Sequence, residues 1–529
     1  MFDSKALKKY ILAIDHGTSA VKSALFTCAG ELVDFEAKNL TIQFLPGGGA
    51  EQDPEEWWKA LLETGAKLVT RNSNLAQDIV AVCVSSTFSS TVAVDDKGRH
   101  LGNALTWLDS RGAPYIKELL GGFPNLMGYN IFKMLPWIWK TAGGPQLSGK
   151  DDIAHILYWK NAKPDIYEKA HKFLGSKDYL NFRLTGEFAA SFDSIMLFWL
   201  TNTRDINNVH YDDWLIKHAG IDKNKLPALK KSIDILGMLK PEVANQLGIS
   251  SSTKVIVGSP DHQCACIGSG AVRDFEGHLY IGTSSWIQCI VPFKKTDVFH
   301  SIASLPTAIP GKYYAVNEQD IAGGVLPFLV NNIIYNNLLN KDSAPADVFQ
   351  ILDQIAEKVP PGSNKLIFTP WLNGERTPVD DTTIRGGLYN MSMTTRIDEI
   401  IRAFMEGVAY NTRWALKYVE KFIGRRMDQI NIVGGGGKSE LWCQIFADVL
   451  DRRIKQVKDP MQANSRGAAF IASVGLGLIR FEDIPDLIQI KKTFEPDSNN
   501  RKIYDELFSA FLEIYKNNRA MYRRLNKES

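Results

Sequence analysis

Paired cysteines, strong net charge and long apolar runs are all missing from this sequence. The 529 residues include six cysteines, none in a C-x-x-C pair, which gives little support to a disulfide framework or a zinc site. The formal net charge is only +2, so charge gives no argument for nucleic acid or an anionic membrane as the main partner. No segment approaches the uncharged apolar length of a membrane helix. We therefore expect a soluble protein with reduced core thiols and a small-molecule partner.

A leader-like segment is also lacking. The first five residues lead into an apolar strand without a long h-region or a small-residue cleavage site, so we expect a cytoplasmic protein. The hydrophobic and charged fractions, 45% and 23%, are ordinary for globular proteins. The length exceeds what one hydrophobic core usually serves, which predicts two large domains.

One local unit occurs twice along the chain. A buried strand at residues 10–14 is followed by a polar turn and a returning strand, and the same order recurs at residues 279–291. Both turns contain Gly-Thr-Ser, so the match predicts a duplicated architecture. We place the boundary after the strand at residues 254–257, which gives an N-terminal domain of residues 1–257 and a C-terminal domain of residues 258–529.

The two Gly-Thr-Ser turns are candidate phosphate-binding loops. Glycine lets the backbone approach a phosphate closely, while N–H and hydroxyl groups point at its oxygens. Either turn alone would more often be an ordinary hairpin turn, but the repetition favours two facing turns that hold one polyphosphate. The residues concerned are Gly17, Thr18, Ser19, Gly282, Thr283 and Ser284.

A run of glycines near the C-terminus is a third candidate loop. Residues 434–437 separate a predicted strand at 429–433 from a helix that starts near residue 441, and a long helix is predicted over 397–422. The run lacks the Lys-Ser/Thr of a P-loop and does not match G-x-G-x-x-G. By itself it is either a ligand loop or a tight turn.

Two aspartates follow predicted strands and are candidates for chemistry. Asp15 ends the first strand, where a carboxylate can reach hydrated magnesium or simply cap the turn. Asp261 follows the strand at 254–257, where it could accept the proton of a hydroxyl during phosphoryl transfer or N-cap the next helix. His262 fits a neighbouring hydrogen-bond donor better than a base.

The segment 107–111 joins an aromatic face to a carboxylate and a guanidinium. Trp107 could stack on the carbon face of a sugar, with Asp109 and Arg111 at its hydroxyls. An interface ion pair beside a packed Trp is an equally good reading of the composition.

Together these segments resemble the FGGY carbohydrate kinase family over nearly the whole chain. The segments that carry the resemblance are residues 15–19, 49–54 with Trp57 and Trp58, 107–111, 177–180, 282–285, 374–378, 402–407 and 434–436. The resemblance implies an α/β protein of two ribonuclease H-like domains with the actin-like ATPase fold. ATP, Mg²⁺ and a sugar would lie in the cleft, with the sugar on the N-terminal side and the nucleotide on the C-terminal side. It leaves a homodimer open.

The resemblance also implies individual roles. Asp261 would be the catalytic base, and Asp15 would hold magnesium with Asp261 as a second candidate ligand. The nucleotide-side residues would be Gly17, Thr18, Ser19, Gly282, Thr283, Ser284, Gly323, Gly324, Gly434, Gly435, Gly436 and Ser439. The sugar pocket would be lined by Thr87, Phe88, Ser89, Trp107, Asp109, Asp261, His262 and Trp286.

The substrate stays open within the family. Residues 177–188 and 374–378 look more like xylulose kinases than glycerol kinases, so a pentulose such as xylulose is expected. Thr87-Phe88-Ser89, however, stands where xylulose kinases carry Met-His-Gly and glycerol kinases carry Arg-Glu. Ribulose, glycerol and gluconate are therefore alternatives. An actin-like ATPase without a sugar acceptor and a regulator without turnover are further alternatives, but Asp15 and Asp261 argue against the regulator.

Overall fold

Two mixed β-sheets, one in each half of the chain, organise the molecule. The computed structural model describes residues 8–335 and 344–526. The strands of the first sheet are β1 (Tyr10–His16), β2 (Ala20–Thr27), β3 (Leu32–Asn39), β4 (Ile79–Ser86), β5 (Ile235–Met238) and β6 (Lys254–Pro260). Those of the second are β7 (Gly277–Ile281), β8 (Ser285–Val291), β9 (Thr296–Asp297), β10 (Ile302–Pro306), β11 (Tyr313–Val316), β12 (Gln429–Val433), β13 (Arg453–Val457) and β14 (Ile490–Phe494).

The two sheets share one topology. The strand order is β5-β6-β4-β1-β2-β3 in the first sheet and β9-β10-β11-β8-β7-β12-β13-β14 in the second. Each has a central antiparallel hairpin, two further strands parallel to its first strand, and an antiparallel edge strand beyond them. The duplicated α/β architecture predicted from the two turns is therefore confirmed. The predicted division at residues 257 and 258 falls inside β6, while the next sheet starts at Gly277; the division itself stays a prediction.

Helices connect the parallel strands, as parallel pairing requires a crossover. Those used below are α1 (Pro54–Arg71), α2 (Ile131–Thr141), α3 (Asp152–Ala162), α4 (Ser176–Thr185), α5 (Asp261–Gly268), α6 (Ile397–Ile423), α7 (Glu440–Leu450), α8 (Ala463–Gly475) and α9 (Arg501–Asn526). A smaller five-stranded sheet lies in the first domain and comprises Lys172–Gly175, Thr91–Val94, Ala104–Leu105, Gly49–Gln52 and Gln43–Leu45.

Local sequence explains several of these boundaries. Asp53 caps α1 by accepting a hydrogen bond from the Glu55 N–H, and Pro54 fills the first helical position, where no N–H partner is needed. Residues 11–14 of β1 are fully buried, as expected for a strand covered on both faces. The glycine at position 424 ends α6 in the left-handed conformation.

The helix that follows β6, the last strand of the first sheet, crosses the helix that follows β13 of the second sheet. They are α5 and α8, which occupy equivalent places in the two halves. A Cβ on Gly268 would overlap the Ala463 carbonyl oxygen, and a Cβ on Gly467 would overlap the Cys264 carbonyl oxygen. The two backbones are therefore in direct contact, which only glycine permits at these positions.

In the described ranges, 8–335 and 344–526, we find no helix with both the length and the apolarity needed to span a bilayer. All six cysteines are buried free thiols.

Candidate active site

The carboxyl ends of three parallel strands bring the predicted residues of the first domain together. β1, β4 and β6 are neighbours, and Ser86 of β4 lies opposite His16 on one side and Pro260 on the other. Asp15 lies at the end of β1, while Asp261 directly follows β6. Residues that leave the sheet at this edge share the crevice in which open α/β sheets bind ligands.

The same edge of the second sheet collects the glycine segments. Tyr280 of β7 lies opposite Val433 of β12, so the turn 282–284 and the glycines 434–436 leave the sheet side by side. The Ala322 N–H donates to the Thr283 carbonyl oxygen at 2.7 Å, which holds the segment with Gly323 and Gly324 against the same turn.

Steric limits show how closely these backbones pack. A Cβ on Gly434 would lie 2.5 Å from the Ile281 carbonyl oxygen, and Gly434 has a φ of +86°. A Cβ on Gly323 would overlap the Gly282 carbonyl oxygen. Gly435, in contrast, is exposed and has nothing nearer to its Cβ position than 4.0 Å. The structure thus forms a cradle of backbone with an open face, which suits a polyphosphate or nucleoside.

Ser439 lies beside this cradle but already has a local role. It caps α7, and its Oγ accepts a hydrogen bond from the Trp442 N–H at 3.0 Å. The start of α7 adds the partial positive charge of a helix N-terminus to the cradle side.

Asp15 and Lys22 form an ion pair at the first turn. The two residues are opposite each other in the β1–β2 hairpin, and Lys22 Nζ lies 3.3 Å from Asp15 Oδ2. Asn464 of α8 lies 3.5 Å from the other carboxylate oxygen. The negative charge of Asp15 raises the pKa of Lys22, and Tyr280 and Asp261 contribute in the same direction. The first hairpin and the end of β7 therefore meet at one place.

Asp261 is the first residue of α5 and keeps part of its surface exposed. Pro260, and not Asp261, occupies the N-cap position, so the alternative of a simple N-cap does not hold. The Asp261 Oδ1 accepts a hydrogen bond from the His262 N–H at 2.9 Å. Burial raises the pKa of Asp261 well above its usual range, and the negative charges of Asp15 and Glu318 raise it further. A carboxylate with a raised pKa is a stronger proton acceptor.

The two carboxylates suit a hydrated divalent cation. Asp15 is only 2% exposed, and its charge raises the pKa of Asp261, so a cation between them would relieve the repulsion. No cluster of three or more His, Cys, Asp or Glu side chains among the described residues could hold a metal ion. Magnesium held here by Asp15 and Asp261 would keep water and phosphate oxygens as its other ligands, which is its usual preference.

An aromatic column runs from the phosphate side into the first domain. Tyr280 stacks on Trp286 with ring centroids 4.1 Å apart, and Trp286 stacks on His262 at 3.9 Å. His262 in turn meets the edge of Phe88 at 5.5 Å. Three of the predicted sugar-pocket residues therefore lie together, directly beside Asp261.

One polar group of the column has a hydrogen-bond partner within the protein, and another has none. Gln288 Nε2 lies 3.0 Å from His262 Nδ1, and burial lowers the pKa of His262 to about 3, so its imidazole stays neutral. The Trp286 indole N–H is buried and has no hydrogen-bond partner within the described part of the chain.

Trp107 and Asp109 differ in their access to the cleft. The Trp107 indole N–H donates to Thr18 Oγ1 at 2.9 Å, which joins a predicted sugar residue to a predicted phosphate residue. Asp109 has no exposed surface, and its carboxylate accepts from the Ala50 N–H and from Arg111 Nη2 at 3.0 and 2.6 Å. The geometry favours a positioning role for Asp109, and its direct contact with sugar stays a prediction.

Comparison with known proteins decides the family. The model for the N-terminal domain of the FGGY family of carbohydrate kinases matches residues 10–268, and the model for the C-terminal domain of that family matches residues 278–476. The chain belongs to the FGGY family of carbohydrate kinases. As an FGGY kinase it is an ATP-dependent transferase.

Xylulose kinases and gluconokinases are among the relatives of this FGGY kinase. It is 28% identical to a xylulose kinase of Bacillus subtilis over 516 residues, which cover 96% of this chain and 97% of the relative. It is 26% identical to a gluconokinase of the same organism over 513 residues, with 96% of each chain covered. A solved gluconate kinase from Lactobacillus acidophilus is 28% identical with a TM-score of 0.84, over 98% of this chain and 99% of that one. A ligand-bound xylulose kinase from the same species is 27% identical with the same TM-score of 0.84, over 98% and 100%.

Sequence reasoning missed several residues of the FGGY kinase site. Lys22 could have been found, because the turn register places it opposite Asp15. Glu318 and Arg376 form an ion pair, and Arg376 Nε also lies 2.9 Å from Asp320 Oδ1, but these partners come from separate loops with no sequence signal for their pairing.

Proposed function

We propose that this FGGY kinase transfers the γ-phosphoryl group of ATP to a terminal hydroxyl of an open-chain pentulose such as xylulose. The observation that carries the proposal is the position of Asp261. Its partly exposed carboxyl lies where the Asp15 side of the cleft meets the aromatic column, and its pKa is raised.

Different residues of the chain have different roles in an in-line transfer of the phosphoryl group. Asp261 accepts the proton of the acceptor hydroxyl as the bond to phosphorus forms. The aromatic column, with Trp286 and Phe88, offers apolar faces to the sugar carbons, while the backbone of the glycine cradle holds the phosphates. Magnesium, bound with the nucleotide beside Asp15, would neutralise phosphate charge. Catalysis in this scheme is mostly positioning and charge neutralisation.

The choice of a pentulose is based on sequence identity to known relatives and on three segments of this chain. Xylulose kinases and gluconokinases match this chain at similar identity, 28% and 26%. The segments 177–188 and 374–378 look more like xylulose kinases than glycerol kinases, while Thr87-Phe88-Ser89 departs from the Met-His-Gly of xylulose kinases.

Replacing Asp261 by Asn tests the base. We expect turnover to fall by about 10²- to 10⁴-fold, the usual contribution of a general base, with nucleotide affinity largely retained. Steady-state kinetics and titration with a fluorescent ADP analogue measure the two effects. Asp213→Asn, at an aspartate whose side chain is 84% exposed, is the matched control. Near-normal phosphorylation by the Asp261→Asn variant would remove Asp261 from this role.

A substrate panel tests the acceptor. ADP production is measured with xylulose, ribulose, glycerol and gluconate, and without any sugar. The proposal expects ADP release to require an acceptor and to be fastest with a pentulose. Release that is independent of every sugar would favour an actin-like ATPase instead. We also propose a homodimer as the oligomeric state, which light scattering coupled to gel filtration measures directly.

A further inference from the structure

A small polar niche lies beside the aromatic column, at its end away from Tyr280. It is enclosed by the residues that follow β4, by the end of β6, and by the starts of α3 and α4. Its cavity volume is about 10 Å³, which is the room that one water or one hydroxyl needs. We define the niche by Thr87, Ser89, Asp152, Asp178, Ser194 and Pro260.

Asp152 supplies an incompletely used carboxyl to this niche. It is 2% exposed, and its Oδ1 accepts a hydrogen bond from Thr91 Oγ1 at 2.6 Å. Its Oδ2 has only the Ser89 hydroxyl at 3.4 Å, which is long for an O–H···O bond. Burial raises the pKa of Asp152 to about 7, and the charges of Asp151 and Asp178 act in the same direction.

Lys177, the one cation among the residues that line the niche, is already paired. Lys177 Nζ lies 2.5 Å from Asp178 Oδ1 and also donates to the Val257 carbonyl oxygen at 3.0 Å. The remaining Asp178 oxygen accepts from Ser194 Oγ at 3.0 Å. The one cation lining the niche is therefore already paired, so a substrate carboxylate would find no free positive charge among the niche residues. The Asp152 carboxyl can still form a hydrogen bond with a hydroxyl.

The niche lies where it could contact the end of the acceptor sugar opposite the hydroxyl that is phosphorylated. Phe88 and Pro260 both line it, and these residues adjoin the aromatic column and Asp261 respectively. The column starts at Tyr280 near Asp15, so Phe88 marks the end remote from the phosphates. A sugar whose reacting hydroxyl meets Asp261 would direct its other end toward this niche.

We propose that Asp152 and Ser89 bind a hydroxyl at the end of the acceptor opposite the one that is phosphorylated, and that they select a neutral end over a carboxylate. The proposal rests on the proposed function and deepens it. Of xylulose and gluconate, the substrates named for two relatives, the niche fits the ketose and disfavours the sugar acid. It also suggests how the pocket can bind a hydroxyl without the Met-His-Gly of xylulose kinases, because Asp152 of α3 and Ser89 of the replacing segment supply the partners.

The test compares xylulose with an analogue that lacks the distal hydroxyl, 1-deoxyxylulose. At about pH 8, above the raised pKa of Asp152, the wild-type kinase should prefer the parent sugar in kcat/KM by about 10- to 100-fold, as expected for one hydrogen bond to a charged group. In Asp152→Ala and in Ser89→Ala this ratio should fall toward 1. Variants that are merely destabilised lower both rates together and leave the ratio unchanged.

Asp213→Ala is the matched control, because the Asp213 side chain is 84% exposed and does not line the niche. The ratio in this variant should equal that of the wild type. A wild-type ratio retained in Asp152→Ala would overturn the proposal.

Two further outcomes separate this proposal from the proposed function. Turnover that is fastest with a pentulose, together with a wild-type sugar ratio in Asp152→Ala, would reject the niche as the selector while leaving the proposed function intact, whereas turnover that is fastest with gluconate would reject both. If turnover is too low to measure, calorimetric binding of the two sugars in the presence of ADP gives the same ratio without catalysis. Equal affinity for both sugars in the wild type would reject the proposal by that route.

Discussion

At the scale of single residues, burial and neighbouring charges raise the pH at which the Asp261 carboxyl ionises. Asp15 and Glu318 raise the pKa of Asp261, and burial is the largest cause. Only the ionised carboxylate can accept a proton, so kcat/KM should fall as the pH falls through this raised pKa. The acid limb of the profile is therefore expected at higher pH than for an ordinary Asp, whose pKa is about 3.9.

Glu318→Gln should move that limb. Removing one negative charge stabilises the ionised form of Asp261, so its pKa falls and the acid limb of kcat/KM shifts to lower pH. The pH dependence of kcat/KM, measured at saturating ATP, gives the shift. Glu63→Gln serves as the control because Glu63 is exposed on α1 and bonded to Lys67 at 2.9 Å. A limb that stays in place, or moves upward, would contradict the assigned electrostatics.

Some of these residues could be read from the sequence, and some could not. Asp15 and Asp261 follow apolar strands, and the ends of parallel strands meet at one edge, so their proximity was predictable. The burial of Asp109 depends on Ala50 and Arg111 in three dimensions, and nothing in its local composition shows it. Asp152 reaches the site from α3, and its contact with Ser89 spans more than sixty positions of the chain.

At the scale of elements, the loops predicted to bind the nucleotide follow strands whose positions could be predicted. The strand predicted at 429–433 is β12 with the same bounds, and the helix predicted over 397–422 is α6. Both were predictable because their apolar pattern is long and regular. The five-stranded sheet that includes Lys172–Gly175 pairs short strands that are far apart in the sequence. No local sequence pattern specifies such pairing.

Gly434→Ala tests the cradle. The added methyl group would meet the Ile281 carbonyl oxygen at 2.5 Å in a backbone conformation with a φ of +86°. We expect a loss of about 1–3 kcal/mol in the free energy of unfolding, as for overpacked sites, and weaker binding of ADP. Chemical denaturation and nucleotide titration measure the two quantities.

Gly477→Ala separates the two causes. Gly477 also has a positive φ, +71°, but no atom lies within 4 Å of its Cβ position. It should show the backbone penalty alone, about 1 kcal/mol, with unchanged ADP affinity. Equal ADP affinity in the two variants would argue that the loop after β12 does not contact the nucleotide.

At the scale of the whole molecule, duplication and the helix crossing fix how the halves meet. The repeated turn was enough to predict two related domains, because each copy starts the same sheet topology. The crossing of α5 and α8 was not predictable, since its glycines lie inside helices and show no turn pattern.

Gly467→Ala should disturb both stability and catalysis. A methyl group there would overlap the Cys264 carbonyl oxygen, and backbone cannot move aside as a side chain can. We expect a loss of about 1–3 kcal/mol in stability and a lower kcat, because the domains are forced apart at the crossing. Thermal unfolding and steady-state kinetics measure these effects.

Gly65→Ala is the comparison variant for the crossing. Its Cβ would meet the terminal methyl of Leu247 at 2.8 Å, which a rotation of that flexible side chain can relieve. It should therefore keep its kcat. Unchanged kcat and stability in Gly467→Ala would show that the crossing tolerates separation.

The aromatic column has an optical consequence. Its indole, Trp286, is packed between the phenol of Tyr280 on β7 and the imidazole of His262 on α5. Because the pKa of His262 is about 3, that imidazole does not gain a proton at physiological pH, and protonation cannot quench the indole. A change in the Trp286 emission on adding sugar or nucleotide would therefore report ligand contact or rearrangement at the column, and not a change in the charge of His262.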